Sequence, residues 1–303
     1  MKSRRYLIYD VFTDRPLAGN PLAVVVECEG LETAAMQAIA REFNLSETVF
    51  ILPADNPRHR ARVRIFTPEY EMPFAGHPTV GAAVALAEGA GDDGMAGMFV
   101  LEEQIGPVRC AVTKGRGASF AEFDLAKLPE RLPLTVDPAA IGAALGLAPH
   151  EIGFENHRPS LWAAGVPYLT VPVAGQEVAA RIRFDNTAWT ELAPPKGEGI
   201  VASAYIYCRD TVLHDSAFHA RMFSPGNPAI EDPATGSAAA AFAGAIVHFD
   251  EPVAGSHAFW IEQGIEMGRP SRIRLEIDVE GGRIDGARIG GHAVKVAEGL
   301  LFA

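Results

Sequence analysis

Pro73-Phe74-Ala75-Gly76-His77-Pro78-Thr79 runs straight into Val80-Gly81-Ala82-Ala83-Val84-Ala85-Leu86-Ala87. Much later, Glu231-Asp232-Pro233-Ala234-Thr235-Gly236-Ser237 runs into Ala238-Ala239-Ala240-Ala241-Phe242-Ala243-Gly244-Ala245-Ile246-Val247. Each stretch is a small-residue turn opening an apolar helix. Neither helix has a polar face, which predicts that each is buried in the core of its own half of the protein. The start of such a helix offers unpaired backbone N–H groups and a partial positive charge, a receptor for a carboxylate or a developing oxyanion. Two starts in one chain predict two similar halves that face each other across a cleft.

The chain has 303 residues, enough for two domains with ample cores. A formal net charge of −12 argues against a nucleic-acid partner. It leaves an anionic substrate open, because helix starts supply local positive potential without changing net charge. Cys28, Cys110 and Cys208 are widely spaced and odd in number, neither a disulfide framework nor a metal-ligand pattern, and they fit a reducing compartment. The basic start Met1-Lys2-Ser3-Arg4-Arg5 precedes an apolar run broken at Asp10, too short for a signal peptide. The helix after Ser237 is too short to span a bilayer. A soluble cytoplasmic protein without a membrane partner is expected.

Periodicity predicts strands at Tyr6–Phe12 and Pro21–Val26 joined by a hairpin turn, and a helix over Leu31–Phe43. Strands follow at Glu47–Leu52 and Arg60–Phe66, the latter with Arg60, Arg62 and Arg64 on one face. That face reads as solvated, with carboxylate binding as the lesser alternative. After the first buried helix come strands near Met98–Glu102 and Val108–Val112. A second block opens near Ala118 with a strand at Phe120–Phe123, a helix at Pro138–Leu145, and strands at Tyr168–Val173, Gly199–Cys208 and Phe218–Phe223. After the second buried helix the chain is strand-rich, at Phe259–Glu262, Arg272–Ile277 and Gly291–Val296. The fold class is α+β: two pseudo-symmetric domains, each a curved barrel-like sheet around a central buried helix. The expected boundaries are 1–117, completed by 288–303, and 118–287.

The ordered series Asp10-Val11-Phe12-Thr13, Gly19-Asn20-Pro21, Asn44-Leu45-Ser46-Glu47-Thr48, Arg64-Ile65-Phe66-Thr67-Pro68, Gly76-His77-Pro78-Thr79, Glu231-Asp232-Pro233-Ala234-Thr235-Gly236-Ser237, Gly268-Arg269-Pro270-Ser271 and Gly290-Gly291-His292-Ala293-Val294 spans nearly the whole chain. It resembles the PhzF-like isomerase family of phenazine biosynthesis, related in fold to diaminopimelate epimerase and proline racemase. The resemblance implies a homodimer performing cofactor-independent acid/base chemistry on a small carboxylate. The family's namesake acts on trans-2,3-dihydro-3-hydroxyanthranilate. Carried over by position, Glu47 is the acid/base group, with His77, Asp232 and Ser237 completing the site. Gly76 and Gly236 offer backbone N–H groups to an anion. The epimerase relatives place a cysteine at each helix start; here Ala75 and Asp232-Pro233-Ala234 stand there, which excludes a two-thiol racemase.

Each candidate also has a plain alternative. By position alone, Glu47 is a solvated strand end or a cap partner; partly desolvated, it would exchange a proton near neutral pH. His77, just before Pro78, sits at a helix mouth, either as a capping residue or as a group that bonds substrate. Asp232 can simply open an Asp-Pro turn, or bind an ammonium or hydroxyl, or share a proton with His77. Ser237 can be a small first-turn residue or hold a carboxylate; no nucleophile elbow surrounds it. His59, His214, His219, His248 and His257 lack ligand spacing, and no phosphate loop or dinucleotide fingerprint occurs, so no metal and no cofactor are expected. The expected function is an isomerase that moves a proton within a small cyclic or amino-acid-like carboxylate. An epimerase acting at one carbon and a non-catalytic small-acid-binding protein are the alternatives.

Overall fold

The computed structural model describes residues 3–89, 97–192, 201–225 and 231–303. In chain order it forms β1 (Ser3–Val11), β2 (Asn20–Val25), α1 (Thr33–Phe43), β3 (Glu47–Leu52), β4 (Ala61–Phe66), β5 (Glu71–Met72), α2 (Gly76–Gly89), β6 (Gly97–Glu103), β7 (Gly106–Thr113) and β8 (Ser119–Asp124). It continues with β9 (Glu130–Leu132), α3 (Pro138–Leu145), β10 (Ser160–Ala163), β11 (Pro167–Pro172), α4 (Gln176–Ala180), α5 (Asn186–Leu192), β12 (Ser203–Cys208) and β13 (Phe218–Phe223). The last elements are β14 (Glu231–Asp232), α6 (Gly236–Asp250), β15 (Gly255–Gln263), β16 (Ser271–Glu280) and β17 (Arg283–Phe302). The strand expected over 199–208 begins at Ser203; positions 199 and 200 lie outside the described residues.

The chain divides into two compact units, 1–126 with 289–303, and 127–288. Residues 118–126 therefore belong to the first unit, not to the second block as their position in the chain suggested. The reason is local: β8 folds back antiparallel onto β7, pairing Thr113 with Phe120 and Cys110 with Phe123. The expected terminal strand at 291–296 is the middle of a much longer one, β17.

In the first unit the strands close on themselves in the order β1, β2, β3, β4, β6, β7, β8, β17 and back to β1. Strand alternation sorts the side chains to two faces. Phe50 and Phe66 pack with Met36, Ile39 and Ala40 of α1. The intervening Val49 and Ile65 are buried toward the other face, the barrel interior. There α2 packs against β1, β2, β3, β7 and β8. Its residues from Gly76 to Ala85 are all buried, as an all-apolar helix requires.

The second unit repeats the plan. Its ladder runs β9, β10, β11, β12, β13, β15, β16, with β11–β12 and β13–β15 parallel as β2–β3 and β4–β6 are in the first. One face carries α3 and α5 over a core that includes Ile141, Leu145, Leu169, Trp189 and Ile206. α6 contacts β9, β10, β11 and β16 and is buried from Ala238 to Ile246. Close packing explains one small residue in each helix. A Cβ on Gly81 would collide with Leu22 and one on Gly244 with the Trp162 ring, so glycine lets each helix sit down on its strands. No helix among the described residues is long and apolar enough to cross a membrane.

Candidate active site

Arg64 and Arg221 set the geometry of the two helix starts. Arg64 on β4 grips Glu71 on β5 with two hydrogen bonds, of 2.7 and 2.6 Å. Arg221 on β13 grips Glu231 on β14 at 2.8 and 2.9 Å. In each case the guanidinium also lies over a phenylalanine two residues on, Phe66 or Phe223. These forked pairs hold the short strands from which the chain turns into α2 and α6. The arginine face predicted as solvated is thus partly structural. Arg64 does bind a carboxylate, but an internal one.

At the start of α2, Glu47 and His77 come together. Glu47 opens β3, in parallel register with Leu22 of β2, and its Oε2 lies 3.5 Å from His77 Nδ1. The side chain of Glu47 is 16% exposed and that of His77 5%. The buried Asn20, first residue of β2, brings its Nδ2 to 3.4 Å from the same ring nitrogen. Burial holds His77 neutral, its pKa pushed down to about 3, against a partial counter-effect from its hydrogen bond to the Pro21 carbonyl. His77 Nε2 is buried without a hydrogen-bond partner. Burial and the neighbouring Glu47 also raise the pKa of the Tyr70 hydroxyl, a residue the motif reading passed over. Gly76 is buried at the first position of the helix.

The start of α6 is organised differently. Asp232 Oδ2 accepts from Thr235 Oγ1 at 2.5 Å. The buried Gln263 donates to the Asp232 carbonyl at 2.8 Å and to Thr235 Oγ1 at 3.1 Å, and accepts from the Thr235 N–H at 3.3 Å. Asp232 is thus a turn-former, as its position before Pro233 allowed, with a half-buried carboxylate. Ser237 Oγ lies 2.7 Å from the Tyr168 hydroxyl, and Gly236 is buried at the helix start. Glu47, His77 and Gly76 therefore belong to the first unit, and Asp232, Gly236 and Ser237 to the second. Thr235, Gln263 and Tyr168 were not singled out in advance. Only the alignment of the two repeats, strand by strand, would have found them.

Two further charged clusters lie elsewhere, the first reaching the Arg221 fork through Glu266, 4.0 Å from Arg221 Nε. His219, fully buried, bonds Glu262 through Nδ1 at 2.8 Å and Glu266 through Nε2 at 3.0 Å, while Glu262 accepts from the backbone of Val212 and Leu213. His157 links Tyr207 and Asp250, each at 2.8 Å. Among the described residues, no group of three or more His, Cys, Asp or Glu side chains is placed to hold a metal ion.

A barrel-like sheet around a buried helix, built twice in one chain, defines the diaminopimelate epimerase-like fold class. Residues 9–299 match the model of the phenazine biosynthesis-like protein family, and the chain belongs to that family. It is 72% identical over the full length of both chains to a Mesorhizobium japonicum protein named as an uncharacterized isomerase. It is 33% identical to the trans-2,3-dihydro-3-hydroxyanthranilate isomerase of Pseudomonas aeruginosa, over 98% of this chain and 99% of that one. A crystal structure of a Bacillus anthracis PhzF-family phenazine biosynthesis protein superimposes with a TM-score of 0.89 at 26% identity, covering both chains completely. The enzyme is an isomerase.

Proposed function

We propose that the enzyme moves a proton between two carbons of a small cyclic or amino-acid-like carboxylate, with Glu47 as the acid/base group. The observation that carries this is the Glu47–His77 pair at the start of a buried helix, 3.5 Å apart and shielded from water. In the proposed step the Glu47 carboxylate takes a proton from a substrate carbon. The C–H electron pair passes into the unsaturated system conjugated with the substrate carboxylate. Glu47, now a carboxylic acid, returns the same proton to another carbon. Atoms and charge balance without a further reactant.

His77 stays neutral, and its buried Nε2 gains a hydrogen-bond partner from a substrate hydroxyl or amine on binding. The backbone N–H group at Gly76 favours the negative charge of the substrate carboxylate and of the enolate-like intermediate. The start of α6, taken by itself, offers donors to a carboxylate at Gly236 and the Ser237 hydroxyl, and an acceptor to an ammonium or hydroxyl group at Asp232. The first compound to test is trans-2,3-dihydro-3-hydroxyanthranilate, named for the Pseudomonas relative.

The test is mass-detected deuterium incorporation in heavy water over a panel of small amino and hydroxy acids, for wild type and Glu47→Gln. The variant should bind but exchange roughly 10²–10⁴-fold more slowly, the usual contribution of a positioned acid/base group. Undiminished exchange in Glu47→Gln would sink the assignment.

A further inference from the structure

Thr79, in the first turn of α2, is completely buried, and its Oγ1 lies 2.7 Å from two oxygens, the Ala75 carbonyl and Glu103 Oε1. A threonine hydroxyl has one hydrogen, and a carbonyl can only accept. If that hydrogen points to Ala75, the contact with Glu103 is short only when Glu103 carries a hydrogen of its own. If it points to Glu103, two bare oxygens are left 2.7 Å apart at Ala75. Both short contacts are satisfied together only by a protonated Glu103. Its other oxygen, Oε2, is buried with no hydrogen-bond partner, a poor place for an ionised carboxylate.

The second unit supplies an independent reading of the same position. Glu103 ends β6 and Gln263 ends β15, and the residues before them pair in equivalent register, Glu102 with Arg62 and Glu262 with His219. Gln263 is permanently neutral and donates into the turn before α6. Where the repeat needs a buried donor beneath its helix start, one unit has an amide and the other a carboxyl.

We propose that Glu103 is a positioning residue that works as a neutral carboxylic acid, donating from Oε1 to Thr79 and so fixing the first turn of α2 that carries His77. Its importance for catalysis rests on the reading of Glu47 and His77 given above; its protonation does not. Burial pushes the Glu103 carboxyl up to about 8. Cys110 on β7 faces it as a thiol, its own pKa raised by burial and by Glu103. A cavity of about 730 Å³ beside Glu103 is lined by Asp55, His59, Arg62, Arg64, Glu71 and Glu102. Of these, Arg64 is committed to Glu71 and His59 to Glu102.

The sign follows from linkage. An unfolded glutamate ionises near about 4.3, so the protonated group's contribution to stability is complete below that pH and is lost as pH rises through about 8. The experiment measures thermal unfolding of wild type, Glu103→Gln and Thr79→Val from about pH 5 to about pH 9, with infrared spectra of the carboxylic acid C=O stretch. Wild type should lose midpoint relative to Glu103→Gln as pH rises, and a buried carboxylic acid band should be present at neutral pH and absent from the variant. Thr79→Val removes the acceptor of the Glu103 proton and should move the loss to lower pH. Where a substrate has been found, exchange by wild type should fall above about pH 8 while exchange by Glu103→Gln stays flat. Parallel unfolding curves, a missing band, or a Thr79→Val shift to higher pH would each overturn the proposal. Absence of exchange in every protein, with the band and curves as expected, would count against the isomerase mechanism and leave Glu103 protonated.

Discussion

The two units share a scaffold and differ in chemistry. Both turn from a short strand into a buried helix, and both hold that strand with a forked arginine–glutamate pair over a phenylalanine. At the strand opening, however, the first unit has Glu47 where the second has Ser203, each the first residue of the strand parallel to its neighbour. At the helix start it has His77 where the second has Ser237. Leu22 in one register position is Tyr168 in the other. What repeats is the part that backbone geometry and burial dictate. What varies is the set of side chains at the helix starts: among the described residues, the first unit pairs the Glu47 carboxylate with the His77 imidazole there, and the second sets Ser237 beside Tyr168.

If the arginine fork is common scaffold, breaking it should hurt both units, and the more buried copy more. Arg221 is 7% exposed and also donates to the Ala179 carbonyl at 2.7 Å, tying α4 to β13. Arg221→Met leaves Glu231 facing an apolar hole and should cost about 3–5 kcal/mol. Arg64→Met, with partners that are about a quarter exposed, should cost clearly less. Denaturant midpoints at constant slope would measure both. Equal losses would show that burial does not distinguish the forks.

The second unit also buries a charged cluster on β13 and β15, at His219 and Glu262. Burial disfavours a charged His219, but its bonds to Glu262 and Glu266 outweigh that and raise its pKa to about 9. The stabilisation is complete below the unfolded value of about 6.5 and is lost as pH rises through about 9. Amides of Val212 and Leu213, held by Glu262, should therefore lose hydrogen-exchange protection in alkali, beyond the intrinsic rise in exchange. In His219→Gln that extra loss should disappear. An unchanged pH dependence in the variant would mean that another group controls this loop.

Much of the scaffold was legible before any coordinates. All-apolar helices after Gly76 and Gly236 have no solvent face to offer, so burial was forced. The antiparallel pairing of β1 and β2 followed from two apolar runs around a Gly-Asn turn. The misplaced boundary at 118 came from taking a strand after a glycine turn as a new beginning, when the turn only returns the chain to its own sheet. β17 is longer than expected because its ends alternate polar and apolar residues and carry little contiguous hydrophobicity. Glu47 and His77 could be named from motifs, but their contact depends on the parallel pairing of β2 with β3, which local patterns do not encode. Glu103 was invisible for a related reason: a lone glutamate at a strand end acquires meaning only from the buried threonine above it and from Gln263 in the repeat.

The smallest expected effect concerns the polar set at the start of α6. Tyr168 occupies the register position that Leu22 fills in the first unit, so the scaffold does not require its hydroxyl. That hydroxyl orients Ser237 from 2.7 Å. Tyr168→Phe should keep the fold, losing about 0.5–1.5 kcal/mol for one hydrogen bond. Affinity for a small carboxylate should weaken by at most roughly tenfold, the equivalent of about 1.4 kcal/mol. Deuterium exchange at saturating substrate should hardly change, because Glu47 and His77 are untouched. Binding titrations and exchange at saturation separate the two effects. A large loss at saturation would give the Tyr168–Ser237 pair a part in the chemistry itself.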